Sequence, residues 1–312
     1  MEKKQHNTQN IENDLGIGNK VIANTRLIDK NGKFRVYRKG EKIWMHPYQR
    51  LIEMSWLRFH LFIVGFYIVI NVFFAFGYLA IGEKALSGEY HGNLFANFFK
   101  AYFFSVQTFT TVGYGSIAPM CFSSNVIAAF EALLGLLIFA LATGLYYAKF
   151  TRPKPKINFS NIAVIAPYKE DIKGLMLRMV NHSYSELIEM EAIITYSWLQ
   201  KDKIGVLRRS YTPITLERQK VALFPLNWTL VHPIDESSPL RSKTAADLIH
   251  ENAEFIVFVK GMDTTFGQMI QSTSSYLAKE LVWNYKFIPM YYSDENYGTV
   301  LELDKINEIV EV

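Results

Sequence analysis

TTVGYGS, Thr110–Ser116, lies between two apolar runs that are each long enough to cross a bilayer, and its reading decides the fold. In a water-soluble domain two glycines around a tyrosine would mark a turn, because Gly113 and Gly115 tolerate positive φ. The flanks argue otherwise. Phe59–Ala80 carries no formal charge apart from His60, and as a helix it would be about 33 Å long, one bilayer crossing. Asn125–Tyr147 is equally apolar and is interrupted by a single acid, Glu131, which makes a second crossing.

The first forty residues are polar and contain no apolar core of signal length, so no cleaved leader is expected and both ends should share one side. Lys39, Lys42, Arg50 and Arg58 precede the first run, and Lys149, Arg152, Lys154 and Lys156 follow the second. Between the runs Lys84 and Lys100 are balanced by Glu83 and Glu89. Positive charge stays inside, which predicts cytoplasmic termini and a place in the cell (inner) membrane. The net charge of +4 over 312 residues is mostly this juxtamembrane excess and gives no reason to expect nucleic acid. The single cysteine, Cys121, excludes an intrachain disulfide; it reads as a spectator thiol, with an intersubunit bridge as the alternative.

Working outward, NLFANFFKAYFFSVQTFT (Asn93–Thr110) has helical spacing but is too short to span, which predicts a re-entrant helix. Trp44–His60 reads as an amphipathic interfacial helix with Pro47 in its first turn, an ordinary packed helix being the alternative. Gly16 and Gly18 lack the third glycine of a phosphate loop. After RPKPK (Arg152–Lys156) the chain turns to short β-branched and aromatic runs such as INFSNIAVIA, GLMLRMVNH, MEAIITYSWL, EFIVFVKGM and KFIPMYY, with one helix expected after Ser242. The expected organisation is a polar segment 1–40, a pore domain 41–152 with spans at about 59–80 and 125–148 and a re-entrant helix and filter at about 94–115, and an all-β cytoplasmic sandwich 153–312.

Irregular backbone at membrane depth is tolerated only where it is buried in protein or lines a water-filled path. A bare cation needs its hydration shell replaced by oxygens, and TVGYG is the sequence of known potassium filters, so the match applies a known case. Glycines at 113 and 115 let successive carbonyls turn to one axis, while Val112 and Tyr114 point back into protein and Thr111 adds a hydroxyl. K+ would then sit on Thr111, Val112, Gly113 and Tyr114 as the permeant ion. One chain supplies only one wall, so a symmetric homo-oligomer is required, a tetramer by analogy with the known filter. The preceding helix would aim its C-terminal dipole at the cavity.

The chain resembles the inward-rectifier potassium channels, most closely their bacterial branch. The likeness rests on RLIDKNGKFRV, TTVGYG, YAKFTRPK, VHPIDESSPL and QSTSSYLAKELVWNYKFIP and extends from about Arg26 to the C-terminus. It implies a homotetramer whose C-terminal domain is an immunoglobulin-like β-sandwich ring. It also implies a gate at Tyr147 (an interfacial anchor is the alternative), bends at Gly135 and Gly144 (close helix packing is the alternative), and a constricting cytoplasmic loop bearing Gly261, Met262, Phe266, Gly267 and Met269. Phe139 stands where strong rectifiers place a polar cavity residue. Glu189 matches an acidic vestibule position, Lys260 replaces another acid, and Ser116 replaces an aspartate after the filter. Intracellular Mg2+ and polyamines are the blockers the family implies, and these departures argue against strong rectification here.

Glu131, behind the filter in the family register, is expected to support it through hydrogen bonds rather than to touch ions. Arg50, Arg58, Lys149, Arg152, Lys154 and Lys156 are the expected anionic-lipid ligands, although topology alone also demands them. His182 is expected near a subunit interface, as a pH sensor or a satisfied structural histidine. The rival readings are a two-span channel with a nucleotide- or calcium-binding tail and a membrane-tethered sandwich that conducts nothing. Neither a GxGxxG nor an EF-hand loop is present, no catalytic cluster stands out, and no cofactor is expected.

Overall fold

In the computed structural model residues 26–30, 32–35, 39–40, 46–89, 93–152, 157–169, 172–201 and 205–312 are described. The readings at Gly16, Gly18, Lys42, Trp44, Lys154 and Lys156 fall outside them. The chain divides into two units, Gly40–Arg152 and a second that joins the N-terminal residues through Lys39 to those from Pro153 onward.

The first unit is helical: α1 (Pro47–Glu53), α2 (Trp56–Ile81), α3 (Leu94–Phe109) and α4 (Phe122–Phe150). Pro47 opens α1, where its missing N–H is no loss. The sequence reading ran one helix from Trp44 into the first span, but Met54 and Ser55 adopt extended ψ values of 151° and 153°, and the chain restarts as α2. Both long helices begin one turn before the apolar runs, because helical hydrogen bonding starts in the interface whereas hydropathy registers only the hydrocarbon. At the start of α4 the Cys121 N–H donates to Ser124 Oγ (3.1 Å). Gly82, at φ 86°, ends α2. Mean hydropathies of 2.2 and 2.3 suit α2 and α4 to a membrane crossing. The short α3 packs against α2 through Phe74, Ala75, Tyr78, Ala101 and Phe104, and Asn93 caps it by accepting from Phe95 N–H (2.9 Å).

The second unit is a β-sandwich. Its first sheet orders β1 (Ile157–Phe159), β3 (Ile172–Asn181), β2 (Ala163–Lys169) and β10 (Leu281–Trp283), with β7 (Asn227–Ile234) also on β3. The second orders β5 (Leu207–Ile214), β4 (Leu187–Lys201), β8 (Glu254–Asp263) and β9 (Gln268–Leu277), with β6 (Lys220–Leu223) on β4. Alternate residues of each strand meet in the core: Leu175, Leu177 and Met179 from β3, Ile194 and Tyr196 from β4, Phe255, Val257 and Val259 from β8. INFSNIAVIA is two strands, β1 and β2, because Ser160 turns the chain and bonds Ile162 O (2.8 Å). The expected helix is α5 (Ala245–His250), capped by Thr244 with Asp247. KFIPMYY is divided between β11 (Tyr285–Phe287) and β12 (Tyr291–Asp294), because Pro289 cannot donate to a ladder; β12 pairs β13 (Gly298–Leu301), and β11 pairs β14 (Ile309–Glu311).

The N-terminal residues, read from sequence as a separate segment, group with this unit. Glu254, fully buried, accepts from the N–H groups of Leu27 (2.9 Å) and Ile28 (3.4 Å), Ser275 donates to Ile28 O (2.6 Å), and Arg26 pairs with Glu280.

Candidate functional site

The loop that leaves α3 has an alternating backbone. Thr111, Gly113 and Gly115 take φ values of 57°, 53° and 80°, so every second residue is left-handed. That region is costly for a β-branched threonine and routine for glycine. The amides point back: Thr111 N–H donates to Thr108 O (3.0 Å), and Val112 and Gly113 N–H to Gln107 O (2.9 and 3.3 Å). Among the described residues no hydrogen bond ends on a main-chain carbonyl of Thr111–Gly115. A row of unengaged carbonyl oxygens results, and such a row suits a cation. Beyond the loop, Met120 N–H donates to Ala85 O (3.0 Å) and Ala118 N–H to Ser87 Oγ (2.8 Å), tying the segment after it to the segment before α3.

A buried polar cluster lies between α2, α3 and α4. Glu131, inaccessible to solvent, accepts from Tyr78 Oη (2.6 Å) and from Ser105 Oγ, and Ser105 also lies 3.0 Å from Asn71 Oδ1. One carboxylate thereby ties α2, α3 and α4. Sequence reasoning named Glu131 and missed Tyr78, Ser105 and Asn71, although a lone acid in an apolar span requires polar partners and Asn71 interrupts the other span.

Gly135 is buried against α3, and a Cβ there would lie 2.1 Å from Phe109 O. Its missing side chain serves close approach, the alternative kept open from sequence, rather than a free bend. Gly144 has nothing within 4 Å of a Cβ in the single chain. Phe139 and Tyr147 are exposed in the single chain.

Of the expected lipid ligands, Arg50, Arg58 and Arg152 are exposed, with Arg152 3.7 Å from Glu53. Lys149 is different: it is buried, and its Nζ donates to Ile52 O (2.9 Å) and Met54 O (2.5 Å) beside the rings of Trp56 and Phe59. Its reading as a surface lipid ligand is corrected to that of an internal tie, because backbone carbonyls at the α1–α2 break draw the ammonium inward.

In the sandwich, Gly261 and Met262 lie near the end of β8, just before Asp263, Met269 lies in β9, and Phe266 and Gly267 occupy the turn between, where Asp263 Oδ1 accepts from Thr265 N–H (2.9 Å). Met262, Phe266 and Met269 are exposed. Glu189 stands at φ 49° in a bulge of β4, and Lys260 pairs instead with Glu191 (3.1 Å), which sequence reading passed over. The Lys260 ammonium holds the Glu191 carboxyl below its usual range. His182 is exposed just beyond β3.

Residues 157–312 match the model of the inward rectifier potassium channel C-terminal domain, and residues 59–152 match an ion channel model. The chain is 32% identical to inward rectifier potassium channel Kirbac3.1 of Paramagnetospirillum magnetotacticum, covering 92% of this chain and 96% of that one. It is 25% identical to the human inward rectifier potassium channel 18 over 90% of this chain and 71% of that one. To the bovine G protein-activated inward rectifier potassium channel 4 it is 26% identical, over 85% and 68%. With its two apolar helices and C-terminal β-sandwich, this integral membrane protein belongs to the inward rectifier potassium channel family.

Proposed function

We propose that four copies of the chain surround a potassium path whose filter is the main chain of Thr111–Gly115, with K+ held by the oxygens of Thr111, Val112, Gly113 and Tyr114. The observation that carries this is the left-handed alternation at Thr111, Gly113 and Gly115 combined with carbonyls that no protein donor engages. The Tyr114 ring, 77% exposed in the single chain, supports assembly, since neighbouring copies would cover it. Both termini are cytoplasmic in the cell membrane, and K+ is a permeant ion rather than a cofactor.

The gate lies at Tyr147, with bending at Gly144 and a second constriction at the Met262–Met269 hairpin. Anionic lipid acts on Arg50, Arg58 and Arg152, each worth about 1 kcal/mol near a charged leaflet, together with Lys154 and Lys156. Rectification by internal Mg2+ or polyamines is weak, because Phe139 offers no cation ligand in the cavity and Lys260 is positive in the vestibule. Purified protein in vesicles should run as a tetramer after cross-linking and take up rubidium in a barium-sensitive way, faster with anionic lipid. A monomer, or sodium uptake equal to that of rubidium, would end the proposal.

A further inference from the structure

One end of the sandwich core does not close. Ile165, Leu240 and Leu248 are buried members of that core, and Ile234 and Trp283 pack against it, yet together they border a cavity of about 420 Å³. Trp283 of β10 pairs beside Ile165 of β2, and Lys173 of β3 beside Ile234 of β7, so the first sheet supplies one side of the cavity. Leu240, from the loop after β7, and Leu248 of α5 also line it. Protein interiors are filled to crystal-like density, and an apolar hollow continuous with the core offers water few hydrogen bonds.

The mouth is cationic. Lys173, Arg241 and Lys243 line it together with Asp235 and Glu236. Both acids are already engaged: Asp235 Oδ1 accepts from the N–H (2.9 Å) and the hydroxyl (2.8 Å) of Ser237, and Glu236 lies 3.3 Å from Arg241. Lys243 is held by Glu251. The Arg241–Glu236 pair is exposed on both sides, so it is weak and the guanidinium can turn to a better acceptor. Lys173 differs from both. Among the described residues no carboxylate lies within ion-pair distance of it, and its ammonium stands 5.8 Å from the centre of the Trp283 ring, on the wall of the cavity.

We propose that this cavity binds a small organic carboxylate, its aryl or alkyl body against the apolar walls and Trp283 and its anionic group between Lys173 and Arg241. The volume is that of a small-ligand pocket, and apolar walls with a few convergent polar groups at one end orient such a molecule. Burial of the body supplies affinity, and Lys173 selects the charge. A cationic amphiphile would meet two ammonium groups and a guanidinium, with the neighbouring acids already paired. The site lies wholly within the β unit and does not depend on the potassium-channel reading.

The test is calorimetric titration of the full-length protein in lipid discs, with empty discs as the blank, using 4-phenylbutyrate beside its neutral amide and 4-phenylbutylamine. Saturable binding of the carboxylate is expected, with the amide and the amine about fivefold weaker or more. Lys173→Glu, at an exposed position that leaves the core untouched, should weaken carboxylate binding about tenfold or more, whereas Lys201→Glu, the same change on an exposed residue outside the cavity, should leave it at the wild-type value. Trp283→Leu should weaken it as well; should that variant fail to fold, Lys173→Glu decides the matter. A wild type with no saturable binding, or equal affinity in Lys173→Glu, overturns the site. Equal binding of the amide overturns its assignment to anions.

Discussion

Thr111 holds φ 57° although it is β-branched, and it does so between Gly113 at 53° and amides bonded back to α3. Such strain persists only where surrounding contacts over-determine it. Gly113 itself has nothing within 4 Å of a Cβ, so Gly113→Ala meets no clash and feels only the left-handed penalty of about 1–2 kcal/mol. The peptide should rotate to relieve it and turn a carbonyl from the path; reconstituted Gly113→Ala is expected to lose its preference for potassium over sodium, which bi-ionic current measurements check. His232 makes a different residue-scale point. Its Nδ1–H donates to Thr215 O (2.7 Å) and its Nε2 lies 2.7 Å from Ser238 Oγ. Burial pushes its pKa below the ordinary 6.5. The unfolded chain therefore takes up the proton first on acidification, and this contribution, complete above about pH 6.5, is lost as pH falls toward the lowered folded value. The thermal midpoint of the β unit should fall across that window, and His232→Gln should flatten the fall while lowering the midpoint at neutral pH.

At the scale of elements, the break at Met54 and Ser55 leaves carbonyls at the end of α1 without intrahelical donors, and Lys149 from α4 satisfies those of Ile52 and of the capping residue Met54. The α1 helix is thereby tied to the last turn of α4. Hydrogen bonds from a charged donor to buried carbonyls are worth about 1.5–3 kcal/mol, so Lys149→Gln should raise amide exchange across Arg50–Met54 about tenfold or more. If exchange in α1 is unmoved, the tie carries no load. The capping box at α5 is a smaller case: Thr244 and Asp247 satisfy each other's backbone N–H groups, and Thr244→Ala should cost about 1 kcal/mol without affecting ion flux.

At the scale of the molecule, the β unit is closed by residues from the far end of the sequence. Glu254 is inaccessible, binds the Leu27 and Ile28 amides and lies 3.8 Å from Arg209, which is itself buried. Gly32 approaches Thr273 so closely that a Cβ would lie 2.6 Å from its carbonyl oxygen. Removing one partner of a buried ion pair costs about 3–5 kcal/mol, and Glu254→Leu should therefore free residues 26–35 to exchange while the amides of β3 and β4 stay protected. Uniform exposure of the whole unit would mean that the segment is not separable from the sandwich.

Much was legible in the sequence because the bilayer leaves few options. Two apolar runs of spanning length, the second interrupted only by Glu131, announce the two long helices α2 and α4, and a run too short to cross announces α3 between them, since unsatisfied backbone in hydrocarbon is prohibitive. Alternating β-branched runs likewise announce a sandwich, though not its strand order. Contacts between distant residues were beyond it. Nothing local to Gly135 separates a hinge from a close packing site; only α3 lying against it decides. Lys149 reads as a lipid ligand until the fold brings the Ile52 and Met54 carbonyls within reach, and the sequence places Lys260 in the vestibule without showing that β4 sets Glu191 beside it. Local periodicity records which face is apolar, whereas the partner of a given glycine, lysine or carboxylate is set by three-dimensional proximity, and that belongs to the tertiary structure.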